Sequence, residues 1–405
     1  MKKRVVLSIV GICLGLGLVA GGGFYWRGRE ERLLKQAFEA YYNEAYDVAI
    51  PLFNRLMEDG NLIAQAVLGD CYLKGFGVEQ SLEKAVALLR APAESGDAQA
   101  QASLAACYIA LEKPDDECLY WLQLAADQGH SKANLTLGKI YASGSFGEQS
   151  NEKAFYYFSN AAEIGNADAQ YHLAICYDNG LGVEQSEAQA IAWYEKAAEQ
   201  NFVDAQFMLG SHHLRNGNYD EGFKWTQKAA EQGSLSAQIN LAKCYKWGHG
   251  VAQSNEEAIK WTRKAAEQGD VEARYNLAYC YAEGVGVEQS MEEAFKLWNA
   301  IDEVYANDLE TGTSTVPLDF AIPTMYNIGL CYLNGDGVKQ NPISAYVYIR
   351  CAAKAGHARA QQLLKEVWNE EATDPLVTEE DIQTVLRQQE SPNQPDDDAS
   401  GATMP

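Results

Sequence analysis

Cysteines are the residues of this chain with the widest potential chemistry, because a thiol can form a disulfide, bind a metal or act as a nucleophile. Six of the nine cysteines occupy one repeating position and are followed directly by tyrosine: Cys71, Cys107, Cys176, Cys244, Cys280 and Cys331. Equivalent residues on successive packed helices lie roughly 8–10 Å apart, whereas a disulfide usually needs Cα atoms closer than about 7 Å. We therefore predict reduced, buried cysteines that serve as small hydrophobic residues.

Histidines offer no convergent set either. His212 and His213 form the one adjacent pair and replace Cys-Tyr in one copy of the pattern. Neighbouring residues on a helix point in different directions, so the pair is predicted to pack rather than to share a metal. His172 lies on the preceding helix, and His130 and His357 follow glycines and are predicted to lie at the surface. Because no copy has a unique Ser, His and Asp set, the sequence predicts no catalytic residue, no metal ligand and no cofactor.

A Gly-x-Gly motif recurs five times and could suggest a nucleotide-binding loop. That loop requires a preceding strand, whereas the pattern before every copy is helical, so the glycines are interpreted as turn formers. The copies are Gly75-Phe-Gly77, Gly180-Leu-Gly182, Gly248-His-Gly250, Gly284-Val-Gly286 and Gly335-Asp-Gly337.

The residues after these loops predict the start of a helix. Ser81, Ser186, Ser254 and Ser290 are expected N-caps, and Asn341-Pro342 is expected to do the same with proline in the first helical position. In three copies an acidic or amide residue stands three positions after the serine, which predicts capping boxes with Gln189, Glu257 and Glu293.

These elements are positioned by an internal repeat. Most copies of the repeat end in a phrase such as Lys-Ala-Ala-Glu-Gln-Gly, and we call the last residue of this phrase the boundary residue. The boundary residues are Gly60, Gly96, Gly129, Gly165, Asn201, Gly233, Gly269 and, after a gap, Gly356. Their successive spacings are 36, 33, 36, 36, 32 and 36 residues as far as Gly269. A helix that ends in the left-handed conformation favours Gly, with Asn as the usual substitute, so Asn201 supports the assignment.

Each repeat contains two predicted helices. Helix A carries alanine four residues after the boundary residue and leucine four residues later, as in Ala169 and Leu173, which places both on one face. Helix B carries a small residue and, three positions on, a large one, as in Ala258 and Trp261. The sequence therefore predicts an all-α array of about eight helix-turn-helix repeats, in which neighbouring hairpins bury one another's apolar faces.

The pattern Ala-x-x-x-Leu-Gly-x-x-Tyr, the Gly-x-Gly-Val loop and the Lys-Ala-Ala-Glu-Gln-Gly ending resemble Sel1-like repeats, relatives of the tetratricopeptide repeat. The resemblance covers roughly residues 37–368 and implies a right-handed α/α superhelical solenoid used as an adaptor for protein complexes, often in bacterial envelopes. One branch of this family, secreted cysteine-rich proteins that act on β-lactams, places two paired cysteines in each repeat. This chain has a single cysteine at the repeating position rather than a pair, and this departure argues against an enzyme. A secreted or anchored hydrolase acting on lactam or cell-wall compounds is the alternative function.

Three regions lie outside the regular repeats. Residues 37–59 are predicted to form an N-terminal capping hairpin, and residues 357–368 a final helix A. The period breaks at residues 301–320, which are predicted to be an inserted loop because they contain Gly312, Thr313, Ser314, Thr315 and Pro317. Residues 369–405 carry ten acidic residues and one basic one, and this tail is predicted to be largely disordered, with a short helix considered from Glu379 to Gln389.

The N-terminus predicts a single-pass membrane anchor. After Lys2, Lys3 and Arg4, residues 5–26 are uncharged and are about long enough to cross a bilayer. We predict cytoplasmic residues 1–4 and a body facing the periplasm from the bacterial inner membrane. Signal cleavage near Ala20-Gly21-Gly22, followed by secretion, is the alternative. The spacings Gly11-x-x-x-Gly15 and Gly17-x-x-x-Gly21 would also let two anchors pair as a homodimer, although glycine is common in such helices.

Charge and variation between repeats indicate the kind of partner. A net charge of -24 disfavours nucleic acid, because it would repel the phosphate backbone. A protein or peptide bound on the surface of the array is the predicted partner, and the function is predicted to be that of a non-enzymatic scaffold. Residues that differ between otherwise matched repeats are the predicted partner-binding positions: Lys139, Asn240, Lys243 and Tyr279.

Overall fold

The computed structural model describes residues 24–112, 116–146 and 148–368, with side chains described from residue 28, and this part of the chain consists of helices joined by turns. Its nineteen helices are α1 Phe24–Tyr42, α2 Tyr46–Glu58, α3 Leu62–Lys74, α4 Leu82–Glu94, α5 Ala98–Ala110, α6 Asp116–Asp127, α7 Ser131–Ser143, α8 Asn151–Glu163, α9 Ala167–Asn179, α10 Glu187–Glu199, α11 Val203–Arg215, α12 Tyr219–Glu231, α13 Leu235–Trp247, α14 Asn255–Glu267, α15 Val271–Glu283, α16 Met291–Thr311, α17 Leu318–Asn334, α18 Pro342–Lys354 and α19 Ala358–Trp368. Odd-numbered helices are the A helices of the repeats and even-numbered ones the B helices. Among the described residues, those up to Ala205 form one compact unit and those from Gln206 form a second.

The repeat boundaries are confirmed by the backbone. All eight boundary residues have a positive φ, including Asn201 at 64°. In each unit, alanine and leucine of helix A lie in the interior, as Ala169 and Leu173 show with exposures of 0 % and 2 %. The predicted all-α repeat architecture is therefore confirmed for the described residues.

The N-terminal hairpin is longer than predicted. Its helix A, α1, ends at Tyr42 as expected but begins at Phe24 rather than near Ala37. Ala37, Phe53 and Leu56 form its buried core. Residues 5–23 of the predicted membrane segment lie outside the described residues, so the anchor stays a prediction. None of the helices within the described range is long and apolar enough to span a bilayer.

Helix B begins as predicted in one respect and differently in another. The serine caps are confirmed: the Ser186 hydroxyl, for example, accepts a hydrogen bond from the backbone N–H of Gln189. A capping box also requires the side chain of Gln189, Glu257 or Glu293 to accept from the backbone N–H of the capping serine, and this part of the prediction is wrong. The backbone N–H of each capping serine instead donates to a helix-A tyrosine carbonyl, as Ser186 does to Tyr177 at 2.8 Å. Because the serine N–H already donates to the preceding helix, it is not available to the side chain three residues later.

A glutamine in each loop ties the turn to the end of helix A. Gln185 donates from Nε2 to the carbonyl of Asp178 at 2.7 Å, and the same bond recurs seven residues apart in five other repeats. The equivalent donors are Gln80, Gln149, Gln253, Gln289 and Gln340. Together with the serine N–H, this glutamine pairs carbonyl groups that the end of a helix leaves without partners.

The two glycines of Gly-x-Gly have different tasks. The first, such as Gly180 with φ 68°, ends helix A. The second, such as Gly182 with φ 70°, lies against the first turn of the preceding helix B, where an added Cβ would stand 2.2 Å from the carbonyl oxygen of Asn151. The loop is thus a contact between successive repeats, which explains why a side chain is excluded there.

The predicted inserted loop at residues 301–320 is wrong for most of its length. Helix α16 continues to Thr311 and α17 starts at Leu318, so only residues 312–317 connect them. Ile301 and Asp308, seven positions apart and therefore on one helix face, are both buried. The insertion thus lengthens two helices, and the turn-forming residues that suggested a loop all lie in the short connection.

One carboxylate organises that connection. Asp308 accepts hydrogen bonds from the backbone N–H groups of Thr315 and Val316, at 2.7 and 2.8 Å, and from the hydroxyls of Thr313 and Thr315. These bonds, that of the Thr315 hydroxyl foremost, lower the pKa of Asp308 to about 2. The turn is therefore held by a carboxylate that stays ionised at neutral pH.

A buried amide links consecutive hairpins. Gln170 of α9 donates to the carbonyl of Ala162 at the end of the preceding helix B, at 3.1 Å, and accepts from Nε2 of Gln200 at the end of its own helix B, at 2.8 Å. The same pair of contacts recurs around Gln101 and Gln238. Glutamine in the Ala-Ala-Glu-Gln-Gly phrase is therefore a structural partner of helix A.

The prediction that His130 and His357 are plain surface residues is wrong, because both are half-buried N-caps of an A helix. Nδ1 of His130 accepts from the N–H of Ala133, and Nδ1 of His357 accepts from the N–H of Ala360, each at 3.2 Å. Asn166 caps the equivalent position of α9 through its side-chain oxygen. An imidazole can accept at Nδ1 only when that nitrogen carries no proton.

The cap makes stability depend on pH. Burial, followed by nearby Lys132, lowers the pKa of His130 in the folded state, against smaller opposing effects of Asp97 and Asp70. Its contribution is therefore fully present above the ordinary histidine pKa near 6.5 and is lost as the pH falls below it. Replacing both His130 and His357 with asparagine should remove that loss, worth about 1 kcal/mol per cap, when urea unfolding is compared at about pH 7.5 and pH 5.5. An unchanged pH profile in the double variant would contradict this role.

Candidate functional site

The four predicted partner-binding residues occupy two positions of the A helices, three residues apart. Asn240 stands seven positions after its boundary residue, and Lys139, Lys243 and Tyr279 stand ten positions after theirs. We define the helix-A face as the residues at these two positions. Lys139 is described within the first unit and Asn240, Lys243 and Tyr279 within the second, and their role in binding stays a prediction.

Lys139 is held in an ion pair with the next A helix. Its Nζ lies 2.7 Å from Oδ2 of Asp168, and Oδ1 of Asp168 lies 3.2 Å from Nε2 of His172. The ring of His172 stacks on Phe158, with centroids 4.9 Å apart. Burial lowers the pKa of His172 despite the opposing effect of Asp168, so the imidazole is neutral at physiological pH. This group fixes two A helices against each other and leaves Lys139 with half of its side chain exposed.

The three predicted residues of the second unit differ in their exposure and hydrogen bonding. Nδ2 of Asn240 donates to Oγ of Ser211 at 3.3 Å on the preceding A helix, which occupies part of its hydrogen-bonding capacity. Lys243, one turn further along α13, is half-buried. Tyr279 on α15 is 54 % exposed. An exposed tyrosine offers apolar area and a hydrogen-bonding hydroxyl at little entropic cost, as binding surfaces require.

Sequence reasoning missed an exposed aromatic cluster in the second unit. The ring of His249, in the middle of Gly-His-Gly, stacks on Tyr219 with centroids 4.2 Å apart, and its centroid lies 5.8 Å from that of Trp247. Trp247 is 55 % exposed and Tyr219 is 41 % exposed. The sequence signal for this cluster is His249 between two glycines. The middle residue of the loop lies over the start of the preceding helix B, so an aromatic ring there can stack on Tyr219.

Six of the eight cysteines in the described residues are buried, as predicted, and Cys280 and Cys351 are half-buried. Burial raises the pKa of Cys176 and Cys244 to about 11 and that of Cys107 and Cys331 to about 12. A thiol is nucleophilic as the thiolate, so these shifts oppose reactivity at neutral pH. In the stretches that the structure covers, no three His, Cys, Asp or Glu side chains are grouped closely enough to hold a metal ion.

Comparison with known proteins adds a family match. The model of the Sel1 repeat matches eight segments, residues 62–97, 98–130, 131–166, 167–202, 203–234, 235–270, 271–300 and 322–357. All but the last begin at the first residue of an A helix. A search of curated proteins gave no significant match.

Similar solved structures come from several organisms. A Sel1 repeat protein from Oxalobacter formigenes is 26 % identical, with a TM-score of 0.48, over 62 % of this chain and 96 % of that one. A protective antigen with an SLR fold from uropathogenic Escherichia coli is 23 % identical, with a TM-score of 0.40, over 95 % of this chain and all of that one. A signal-transduction ATPase with a tetratricopeptide repeat sensor from Pyrococcus horikoshii is 14 % identical, with a TM-score of 0.48, over 84 % of this chain and 54 % of that one.

Proposed function

The chain belongs to the Sel1 repeat family, and we propose that it is a non-enzymatic scaffold that binds a partner protein or peptide at the bacterial cell envelope. Proteins of this family generally serve as scaffolds. The partner is proposed to lie on the helix-A face, where stacked repeats present a continuous set of side chains.

The observation that carries this proposal is the exposure of large aromatic side chains on and beside that face in the second unit. Tyr279 and Trp247 are each more than half exposed. Neither ring is needed to fill the core, because the leucine and alanine positions of the same helices are buried. Tyrosine and tryptophan supply much of the binding energy at protein interfaces.

The alternative is a hydrolase acting on lactam or cell-wall compounds. Most of the thiols that such a reaction could use as nucleophiles are buried, and burial raises the pKa of thiols such as Cys176, which favours the scaffold. The envelope location rests on the uncharged residues 5–26. The mass of the N-terminal peptide of protein isolated from its host separates an anchor from a cleaved signal: loss of residues 1–22, as cleavage after Gly22 would give, would exclude the anchor.

Replacing Tyr279 with alanine should weaken partner capture at least about tenfold, because an exposed aromatic anchor is lost while the core is kept. The measurement is the amount of partner retained by a body lacking residues 1–29, followed by the Kd of the identified complex. Tyr156 is the matched control, since it is 57 % exposed but lies on helix B. Equal losses in the Tyr279→Ala and Tyr156→Ala variants would refute binding on the helix-A face.

A further inference from the structure

The second unit contains two stretches without carboxylates, although the chain as a whole is strongly acidic. There is no Asp or Glu between Asp204 and Asp220, and none between Glu231 and Glu256. These stretches cover nearly all of α11, all of α13 and the turns that follow both helices. In four other loops a glutamate precedes the glutamine that ties the turn, whereas Ala252 holds that place after α13. The negative charge of the chain is therefore interrupted along α11 and α13.

Three basic side chains stand in these stretches. Arg215 ends α11, and Lys243 and Lys246 lie in the last two turns of α13. Lys243 occupies the position that Lys139 has in its own repeat, where Asp168 pairs with the lysine at 2.7 Å. Arg215, Lys243 and Lys246, in contrast, form no ion pair within the part of the chain that the structure describes. Their charges are therefore available to an anionic ligand.

Aromatic rings lie directly beside these cations. Trp247 is 55 % exposed, and Nζ of Lys246 lies 5.9 Å from the centroid of its ring. Lys243 precedes Trp247 by four positions, so both lie on one face of α13. The stacked rings of Tyr219 and His249 continue the aromatic surface, because the centroid of His249 is 5.8 Å from that of Trp247. Positive charge and flat apolar area are therefore combined in one place.

The extent of this surface limits the length of its ligand. Arg215 and Trp247 each stand fourteen positions after their boundary residue, so they occupy the same place on successive A helices, whose axes are roughly 8–10 Å apart. An extended peptide rises about 3.3 Å per residue and spans that distance within a few residues. Glu283 holds the same position on the next A helix, α15, and is exposed, so the positive surface ends there. A short peptide fits these dimensions better than a long polyanion such as a nucleic acid.

We propose that this basic-aromatic patch binds a short acidic segment of the partner protein. The patch is defined as Arg215, Tyr219, Lys243, Lys246, Trp247 and His249. Carboxylates of the segment pair with the three cations, and one of its apolar side chains lies against Trp247. This inference rests on the proposed scaffold function and adds to it the chemistry of the partner. Because the attraction is electrostatic and the patch is exposed, salt should weaken it.

Peptide selection by the full chain, held in detergent, tests the proposal while the partner is unidentified. The probe is a random library of short peptides displayed on phage. Sequences rich in Asp and Glu that also carry an apolar residue should be enriched. The Kd of such a peptide should rise at least about tenfold in an Arg215→Glu/Lys246→Glu chain and in a Trp247→Ala chain, which corresponds to about 1.4 kcal/mol.

Lys224→Glu/Lys260→Glu is the matched control, because it changes the net charge by the same amount within the same unit. Both lysines are exposed on B helices and are already paired with a glutamate. The control should leave the Kd nearly unchanged. Equal losses in the two double variants would overturn the proposal, since the net charge of the chain rather than the patch would then govern binding.

Two other outcomes would also overturn it. The first is enrichment of no acidic peptide; if capture of the partner still depends on Tyr279, the scaffold function stands without this patch, and if it does not, both fail. The second is tighter binding of phosphatidylglycerol vesicles or single-stranded DNA than of any acidic peptide, lost in the Arg215→Glu/Lys246→Glu chain. The patch would then recognise phosphate groups rather than carboxylates.

Discussion

Replacing Gly182 with alanine will destabilise the first unit by about 3 kcal/mol or more, whereas the same change at Gly180 will cost only about 1–2 kcal/mol. Both glycines have φ near 70°, so both variants bear the left-handed penalty of an L-residue. Only at Gly182 would the new Cβ meet backbone atoms, with the Asn151 oxygen 2.2 Å away. At Gly180 the nearest atom is Cβ of Gln185, at 3.4 Å, an ordinary contact.

Hydrogen exchange of the backbone amides in α8 and α9 is the measurement for this pair, because stability in a repeat array is partly local. Protection should fall sharply in Gly182→Ala and slightly in Gly180→Ala. The result follows from the second glycine forming the contact between repeats. Similar losses in the two variants would show that conformation alone, rather than close approach, requires glycine in the loop.

Replacing Gln170 with leucine will destabilise the same unit by about 1–3 kcal/mol, although leucine is close in size and more apolar. Gln170 is 5 % exposed, donates to the Ala162 carbonyl and accepts from the Gln200 side chain. Leucine removes both bonds from the contact between hairpins. The Ala162 carbonyl keeps the N–H of Gly165, and the exposed Gln200 side chain keeps the Lys196 carbonyl, so the loss stays below that of two unpaired buried groups.

Gln185→Leu is the control for this substitution. Gln185 also donates one hydrogen bond to a backbone carbonyl, at 2.7 Å, but in an exposed turn where water can replace it. Its loss should cost about 1 kcal/mol or less in urea unfolding. If the two leucine variants were equally stable, the buried amide would be only one more hydrogen bond and would not link the hairpins.

The sequence was sufficient to locate the repeats because their signals are local and recur. Boundary glycines, the alanine and leucine of helix A and the capping serines each follow from the needs of a single helix, and Asn201 could be assigned for the same reason. The insertion was misjudged because Gly312 to Pro317 suggested a loop, while the helical face shared by Ile301 and Asp308 becomes visible only when both are seen to be buried.

Contacts between repeats could not be predicted in this way. The backbone of Asn151 that excludes a side chain at Gly182 and the ion pair of Lys139 with Asp168 both join residues of different repeats. Their partners depend on how hairpins stack, which no single repeat specifies. The aromatic cluster around His249 escaped notice for the same reason.

Site-specific photocrosslinking in the native host tests the binding role of the helix-A face most directly. A photoreactive phenylalanine analogue would replace Tyr279 in one variant and Tyr156 in another. Both side chains are exposed to a similar degree, but Tyr279 lies on a helix A and Tyr156 on a helix B. We expect a discrete crosslinked partner protein from position 279 and none from position 156. A partner captured only from position 156, or no crosslink from either position in protein that is folded and correctly located, would contradict the proposed role of this face.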